Sequence, residues 1–378
     1  MALSFWILIG LIVYAYFGYP LLLSFISKFK RERIEKKDIY PNVSIIIAAH
    51  NEEKSIKDKI ENTISLDYPK EKLEIIVASD SSTDRTNEIV SNCKDDRVKL
   101  LNFTKRKGKT FVQNEAVKEA NGEIMLFSDA TTTYDSQVIK KMVQNFADSN
   151  VGAVGGELVF ININENAIGG GGGLYWKYEK FLKRKESQIT SLIGVSGCCY
   201  AVRKDLYEPI GLDVISDFVI AQIVYKKGKK VVYEPGAVSF EETNDNVKDE
   251  FKMRVRIAVR TLYGLWYMRS LFNPLKYGFF AVQLISHKIL RYLVPVILIL
   301  LFLVNVILQI NNPLWLYKLI LYLQIAFYVG AFLGRVFQKR KIFIYLPFYF
   351  CLTNFALLIG IVKFLRGEKQ VLWDPLRK

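Results

Sequence analysis

Histidine and cysteine are scarce in this 378-residue chain, with two of the first (His50 and His287) and four of the second. Two histidines argue against a histidine-rich metal centre. Cys198 and Cys199 are adjacent while Cys93 and Cys351 stand alone, so neither a zinc spacing nor a disulfide framework can be drawn. Reduced thiols facing the cytosol are the simplest reading. Three signatures are also missing. No GxGxxG follows the first strand-like run, which argues against a dinucleotide site. No GxxxxGK[ST] occurs, which excludes a P-loop, and no GxSxG nucleophile elbow is found. The run Gly169–Gly173 lacks the lysine of a phosphate cradle and reads as a flexible loop.

What the chain has is positive charge and long apolar runs. Lys and Arg number 52 against 37 Asp and Glu, a formal net charge of +15. Such a balance fits nucleic acid, anionic lipid or phosphorylated substrates. No nucleic-acid-binding module is visible, and the basic clusters adjoin apolar spans, so the lipid reading leads. Residues Ala2 to Ile26 carry no charge, and about 20 helical residues suffice to cross a bilayer core. The run is too long for a signal-peptide core. Lys28, Lys30, Arg31, Arg33, Lys36 and Lys37 follow it, which by the positive-inside rule places the middle of the chain in the cytoplasm. Three more apolar segments span about Leu290–Ile310, Leu314–Val336 and Ile342–Phe364. Three crossings would leave the tail outside, yet Lys363, Arg366, Lys369, Arg377 and Lys378 prefer the inside, as does the basic Gln338–Lys341 loop. One late segment is therefore a candidate for a re-entrant or interfacial course. Phe272–Leu290 mixes aromatics with Lys276, His287 and Lys288 and reads as an amphipathic interface helix.

From Pro41 the pattern alternates β-branched runs with helical stretches. Val43–Ala49, Leu73–Ala78, Val98–Asn102 and Ile124–Ser128 read as strands; Glu52–Leu66, Thr86–Cys93 and Lys109–Ala120 read as helices. Strand–helix alternation implies an α/β domain with a mostly parallel sheet. Ligands in such sheets bind beyond the carboxyl ends of the strands. Three of those ends carry polar residues: His50-Asn51-Glu52, Ser79-Asp80-Ser81 and Ser128-Asp129-Ala130.

These residues resemble the family 2 glycosyltransferases. Asn51-Glu52, then Ser79 to Thr86 (Ser-Asp-Ser-Ser-Thr-Asp-Arg-Thr), resembles that family's opening. Gly108-Lys109 with Asn114 resembles its Gly-Lys…Asn helix, and Ser128-Asp129-Ala130 sits where the family places Asp-x-Asp. Ser216-Asp217-Phe218 resembles its later acidic motif, and Met253 to Ile257 a degraded Gln-x-x-Arg-Trp. With the flanking apolar helices, the set is similar to the cellulose and hyaluronan synthase branch. It covers roughly Pro41–Arg260.

The resemblance implies a cytoplasmic GT-A-like, Rossmann-type sheet between N- and C-terminal transmembrane helices. The expected organisation is a transmembrane helix over 1–27, a basic linker over 28–40 and a glycosyltransferase domain over 41–250. Amphipathic interface helices would follow over 251–289, a transmembrane region over 290–365 and a basic tail over 366–378. It also implies a multi-pass protein of the cell membrane that moves a sugar, with inversion, from a nucleoside-diphosphate sugar (a UDP-sugar by preference). The acceptor would be a polysaccharide or a lipid-linked saccharide. Asp80 matches the aspartate on the uracil ring, Asp129 the first acid of Asp-x-Asp, and Asp217 the general base. Arg256 matches the arginine on the diphosphate, with Lys109 and Glu52 beside the donor. Gly197, Cys198 and Trp176 fall on the acceptor side. A divalent cation, Mg²⁺ or Mn²⁺, is implied at Asp129. The chain departs from the family at Thr131, Met253 and Ile257. Those departures support the alternative of a catalytically silent membrane scaffold.

Overall fold

The computed structural model describes residues 1–161, 167–242, 246–311, 314–337 and 342–373. An N-terminal helix, α1 (Ala2–Phe29), leads into a sheet whose eight described strands lie in the order β3-β2-β1-β4-β7-β6-β8-β5. The strands are β1 (Val43–Ala49), β2 (Leu73–Asp80), β3 (Val98–Phe103), β4 (Ile124–Asp129), β5 (Thr133–Tyr134), β6 (Val151–Ile161), β7 (Tyr200–Arg203) and β8 (Lys230–Glu242). β3, β2, β1 and β4 are parallel, as the alternation predicts. Beyond β4 the sheet is mixed: β7 runs antiparallel to both β4 and β6, and β6 pairs parallel with β8.

Every residue of β1 is buried, because helices cover both faces of a central parallel strand. Its side chains alternate between two cores. Ile46 and Ala48 join Phe127 and Val219 on one face; Ile45 and Ile47 join Ile60 and Val138 on the other. The covering helices are α2 (Ile56–Ile64), α3 (Thr86–Ser91), α4 (Lys109–Glu119), α5 (Val138–Val143), α6 (Ala167–Ile189) and α7 (Ser216–Lys226). The glycine run 169–173, expected as a loop, has helical backbone inside α6. Glycine costs each helical position about 1 kcal/mol against alanine. The remainder of this 23-residue helix packs on α1, where Leu182 and Ile189 bury against Tyr19 and Leu23.

Next comes α8 (Val247–Tyr267), followed by three apolar helices: α9 (Phe279–Ile310), α10 (Trp315–Phe337) and α11 (Ile342–Leu365). Each of the three, like α1, contains a stretch long and apolar enough to cross a membrane. Phe272–Leu290, expected as one interface helix, is not a single element: Gly278, at φ 54°, divides it, and Phe279 onward belongs to the apolar helix. His287, which made the stretch look amphipathic, is buried. Its Nδ1 lies 2.7 Å from Glu186 and its Nε2 3.2 Å from Glu179. A polar residue whose partners lie inside the protein has no need of the lipid headgroups.

Two observations bear on the late topology. First, α11 runs alongside α8 over its length. Tyr345 packs on Val247, Phe355 on Phe251 (5.7 Å between rings), Gly360 on Ala258 and Phe364 on Tyr263 (4.9 Å). Second, the segment after α11 returns to the sheet domain. Lys369 pairs with Asp213 at 2.8 Å, and the Trp373 ring lies 6.0 Å from that of His50.

Candidate functional site

The carboxyl ends of β1, β2 and β4 converge, and their loops are interlaced by side chains bonded to backbone. Asn51 and Ser81, at the ends of β1 and β2, hold left-handed backbone at φ 53° and 58°. For residues other than glycine this conformation is uncommon and persists only where surroundings enforce it. Here Asn51 N–H donates to Ser82 Oγ (3.1 Å), and Asn51 Oδ1 accepts from Thr83 N–H (2.8 Å). Glu52 N–H donates to Thr86 Oγ1 (2.8 Å), placing Glu52 on the β1 loop. Asp84 accepts from the amides of Glu53 and Thr86 and from the Thr86 hydroxyl. Burial raises its pKa, but these bonds outweigh burial and hold it below the ordinary carboxylate value. Asp84 therefore orients the turn.

Asp80 is fully buried at the end of β2. Its Oδ1 accepts from Lys107 N–H and its Oδ2 from Gly108 N–H, both at 2.8 Å. The carboxylate thus fixes the turn that opens α4, where Gly108 takes φ 96°, a value glycine tolerates without cost. That turn aims Lys109 across the sheet ends onto the Asp129 carboxylate at the tip of β4. Burial opposes the Lys109 charge, but Asp129 outweighs it and raises the lysine pKa, with Asp217 adding to the effect. Lys109 and Asp129 are therefore a charged pair.

Asp217 lies in the first turn of α7 and is not its cap, since Ile215 holds that place. Its backbone carbonyl accepts from Val195 N–H at 3.2 Å, drawing the Ser196–Cys199 loop across the helix start. Its Oδ1 is buried and has no hydrogen-bond partner among the described residues. Its Oδ2 lies 2.8 Å from where a Cβ on Gly197 would stand, so the loop approaches this closely only because residue 197 has no side chain. Burial raises the Asp217 pKa; Lys109 and Arg260 pull against it, and Asp129 adds to it. A raised carboxylate with an unpartnered buried oxygen is suited to accept a proton.

Arg256, on α8, stands close enough to Arg260 for the two charges to repel, and burial together with Arg256 lowers the Arg260 pKa to about 10. Arg260 is the deeper of the two. It donates to Thr110 Oγ1 (2.6 Å) and to the Val214 carbonyl (2.5 Å), tying α8 to both α4 and the Asp217 loop. Motif matching singled out Arg256; the i, i+4 spacing was the signal that pointed to Arg260. Lys183, also missed, donates to Ser196 Oγ at 2.8 Å from α6. Cys198 is buried, and burial raises its thiol pKa well above the ordinary value, so it is a packing residue rather than a nucleophile. The Trp176 ring packs on Phe160 at 5.1 Å and lines a cavity of about 10 Å³ with Lys183 and Ser196.

Among the described residues no three His, Cys, Asp or Glu side chains converge to hold a metal. The protein's own offer to a cation is Asp129, with Thr131 where a second acid would stand. One carboxylate suits a hard divalent ion only if substrate phosphate oxygens complete its shell.

The C-terminal segment borders the same ground. Arg106 donates to the Trp373 carbonyl, and a Cβ on Gly108 would meet the Val371 carbonyl at 2.5 Å.

A family model described as glycosyl transferase family 2 matches residues 44–211, a range holding Asp80, Lys109, Asp129 and Gly197. The matched range is somewhat under half of the chain, and the sheet it contributes to has the GT-A-type fold of a solved glycosyltransferase. The chain is 28% identical over 284 residues to a probable glycosyltransferase, YdaM, of Bacillus subtilis, covering 68% of this chain and 64% of that protein. It is 25% identical over 293 residues to the poly-β-1,6-N-acetyl-D-glucosamine synthase of Staphylococcus aureus, covering 76% of this chain and 65% of the synthase. The matches thus span less than two thirds of these relatives' lengths. In fold, the chain is similar to the mannosyltransferase PcManGT of Pyrobaculum calidifontis, solved with GDP-Man and Mn²⁺. That likeness has a TM-score of 0.74 at 21% identity and covers 97% of this chain and 100% of that one.

Proposed function

We infer that the protein is a membrane-anchored inverting glycosyltransferase. It moves a sugar from a nucleoside-diphosphate sugar to a polysaccharide or lipid-linked saccharide. The observation that carries this reading is Asp217: a half-buried side chain of raised pKa whose Oδ1 is buried and unpartnered among the described residues, beside a glycine loop and facing the Lys109–Asp129 pair. In the proposed reaction an acceptor hydroxyl gives its proton to Asp217 as its oxygen bonds to the anomeric carbon. The bond from that carbon to the diphosphate breaks on the opposite side, which inverts the centre. Lys109 and Arg256 take up the charge of the departing diphosphate. A divalent cation held at Asp129 with the donor's phosphates would spread that charge further. Asp80 serves the nucleotide end, both by ordering the Gly108 turn and through the acceptor capacity left on its oxygens.

The relative named as a poly-β-1,6-N-acetyl-D-glucosamine synthase supports a polymer product. The mannosyltransferase of like fold was solved with GDP-Man, so the nucleotide calls for a direct test. The domain is assigned to the cytoplasmic face by the basic run after α1. We assign α9 and α10 as a crossing hairpin and α11 as a helix lying along α8 on the inner side. That course returns the tail to the domain it contacts and keeps both basic late segments inside.

The deciding experiment supplies purified protein in lipid with a panel of UDP- and GDP-sugars, reading released nucleotide and product size together. Release that needs Asp217 establishes the transferase, and product length separates polymer synthesis from single transfer. Silence across the panel with acceptors supplied favours the scaffold alternative. Full activity in excess chelator removes the cation.

A further inference from the structure

Lys59 is a buried lysine that the proposed reaction does not use. It lies on α2, 1% exposed, and its Nζ has no hydrogen-bond partner among the described residues. Its ammonium sits 3.7 Å from the centre of the Tyr134 ring. Burying an amine without an acceptor is costly, and a cation over an aromatic face recovers only part of that cost. Burial lowers the Lys59 pKa to about 7, outweighing the upward pull of Cys199, Asp129 and Cys198.

Tyr134 explains where this device acts. It follows Asp129 by five residues, in β5, and is itself buried. Asn62 of α2 holds its backbone from both sides: Tyr134 N–H donates to Asn62 Oδ1 (2.8 Å), and Asn62 Nδ2 donates to the Tyr134 carbonyl (3.0 Å). The Tyr134 hydroxyl then lies 2.8 Å from the Cys198 carbonyl and 3.2 Å from that of Phe127. One side chain therefore joins three pieces of the site: the turn after Asp129, strand β4, and the loop that presses Gly197 against Asp217. A positive charge over the ring face draws density from the phenol and strengthens its hydroxyl as a donor.

We propose that Lys59 and Tyr134 are a positioning pair that sets the separation between the donor-side carboxylate Asp129 and the acceptor-side loop at Gly197. Neither residue touches the reacting atoms. Lys59 braces the ring, and Tyr134 ties the two halves through the Cys198 carbonyl. The inference rests on the transferase reading for its consequence, and on the Tyr134 hydrogen bonds and the Lys59 ring contact for its structure.

The test uses full-length protein in lipid with Tyr134→Phe, Lys59→Met and the double variant. Phenylalanine keeps the ring, and methionine keeps most of the lysine volume while removing a buried charge, so each variant retains the packing. Two readouts are taken. The first is the ratio of sugar transferred to acceptor against donor hydrolysed by water. The second is the rate of Cys198 alkylation, located by mass spectrometry.

A positioning role predicts that Tyr134→Phe lowers transfer about tenfold, with donor KM within about twofold and hydrolysis undiminished. Lys59→Met should act alike, and the double variant should be no worse than the more severe single one, since both break one device. Cys198 labelling should quicken in all three. The proposal is overturned if transfer and hydrolysis fall in proportion, if the two substitutions multiply, or if Cys198 labelling stays at the parent rate. Absence of turnover in the unsubstituted protein falls on the transferase reading instead, and the labelling series still decides whether the pair holds the loop.

Discussion

Two regions of this molecule bury charge, and they do so to opposite ends. Behind the sheet, Glu179 lies 3.2 Å from His287 through one oxygen and is bonded to Arg291 near 2.5 Å through the other. Burial raises the Glu179 pKa, yet Arg291 and His287 outweigh it and hold that carboxyl well below the ordinary value. At the start of α7 the Asp217 side chain is half-buried, but its Oδ1 is buried without a partner among the described residues and its pKa is raised. An acid clasped through both oxygens is a structural bolt between α6 and α9. An acid with a spare oxygen is free to take a proton. A buried oxygen by itself does not distinguish the two; its satisfaction does.

The sharpest test of that contrast replaces each acid by its amide. Asp217→Asn should lower transfer by about a thousandfold while donor binding, followed by calorimetry, stays within about twofold. Glu179→Gln should act the other way. It unpairs Arg291 and His287 and should cost about 3 kcal/mol of stability, read as a lowered unfolding temperature, while the surviving folded protein keeps its turnover number. If the second substitution abolished turnover in well-folded protein, the division between bolt and base would be wrong.

A smaller effect follows from Lys109→Met. It removes the charge facing the donor's phosphates and should raise donor KM about thirtyfold, measured in initial rates. The same substitution sharpens the reading of Asp217 through pH. The folded protein holds the Asp217 proton more tightly than the unfolded chain does, because its pKa is raised. Transfer therefore falls as pH drops through that raised value, and the acid limb of kcat should lie above the ordinary carboxylate range. Lys109 lowers the Asp217 pKa, so Lys109→Met should move the limb to still higher pH. A limb that stays in place would remove Asp217 as the titrating group. The smallest effect is expected from Tyr19→Phe, which deletes one bond to Glu186 and should cost about 1 kcal/mol with no change in rate.

The donor half was legible from residues alone for a physical reason. Each of Asp80, Lys109 and Asp129 sits at the end of a short apolar run or the start of a helix, and local pattern places such positions. Parallel strands then bring their ends together without further information. Lys183 and Lys59 were not legible, since each owes its role to a partner more than ten residues away: Ser196 and Tyr134. The glycine run failed for the converse reason. Local propensity said loop, and packing of the rest of α6 on α1 overrode it.

The alternation of strands and helices, the three polar strand ends, the four apolar segments and the resemblance to family 2 glycosyltransferases were all readable along the chain. All of these follow from periodicity and short motifs, which are properties of neighbours along the chain. The assembled fold leaves Asp217 with an unpartnered oxygen while both oxygens of Glu179 are clasped. It also decided that α11 lies along α8 and that the tail returns to the site. Burial and hydrogen-bond satisfaction depend on what the rest of the fold brings within about 3 Å, and residues distant in sequence supply that.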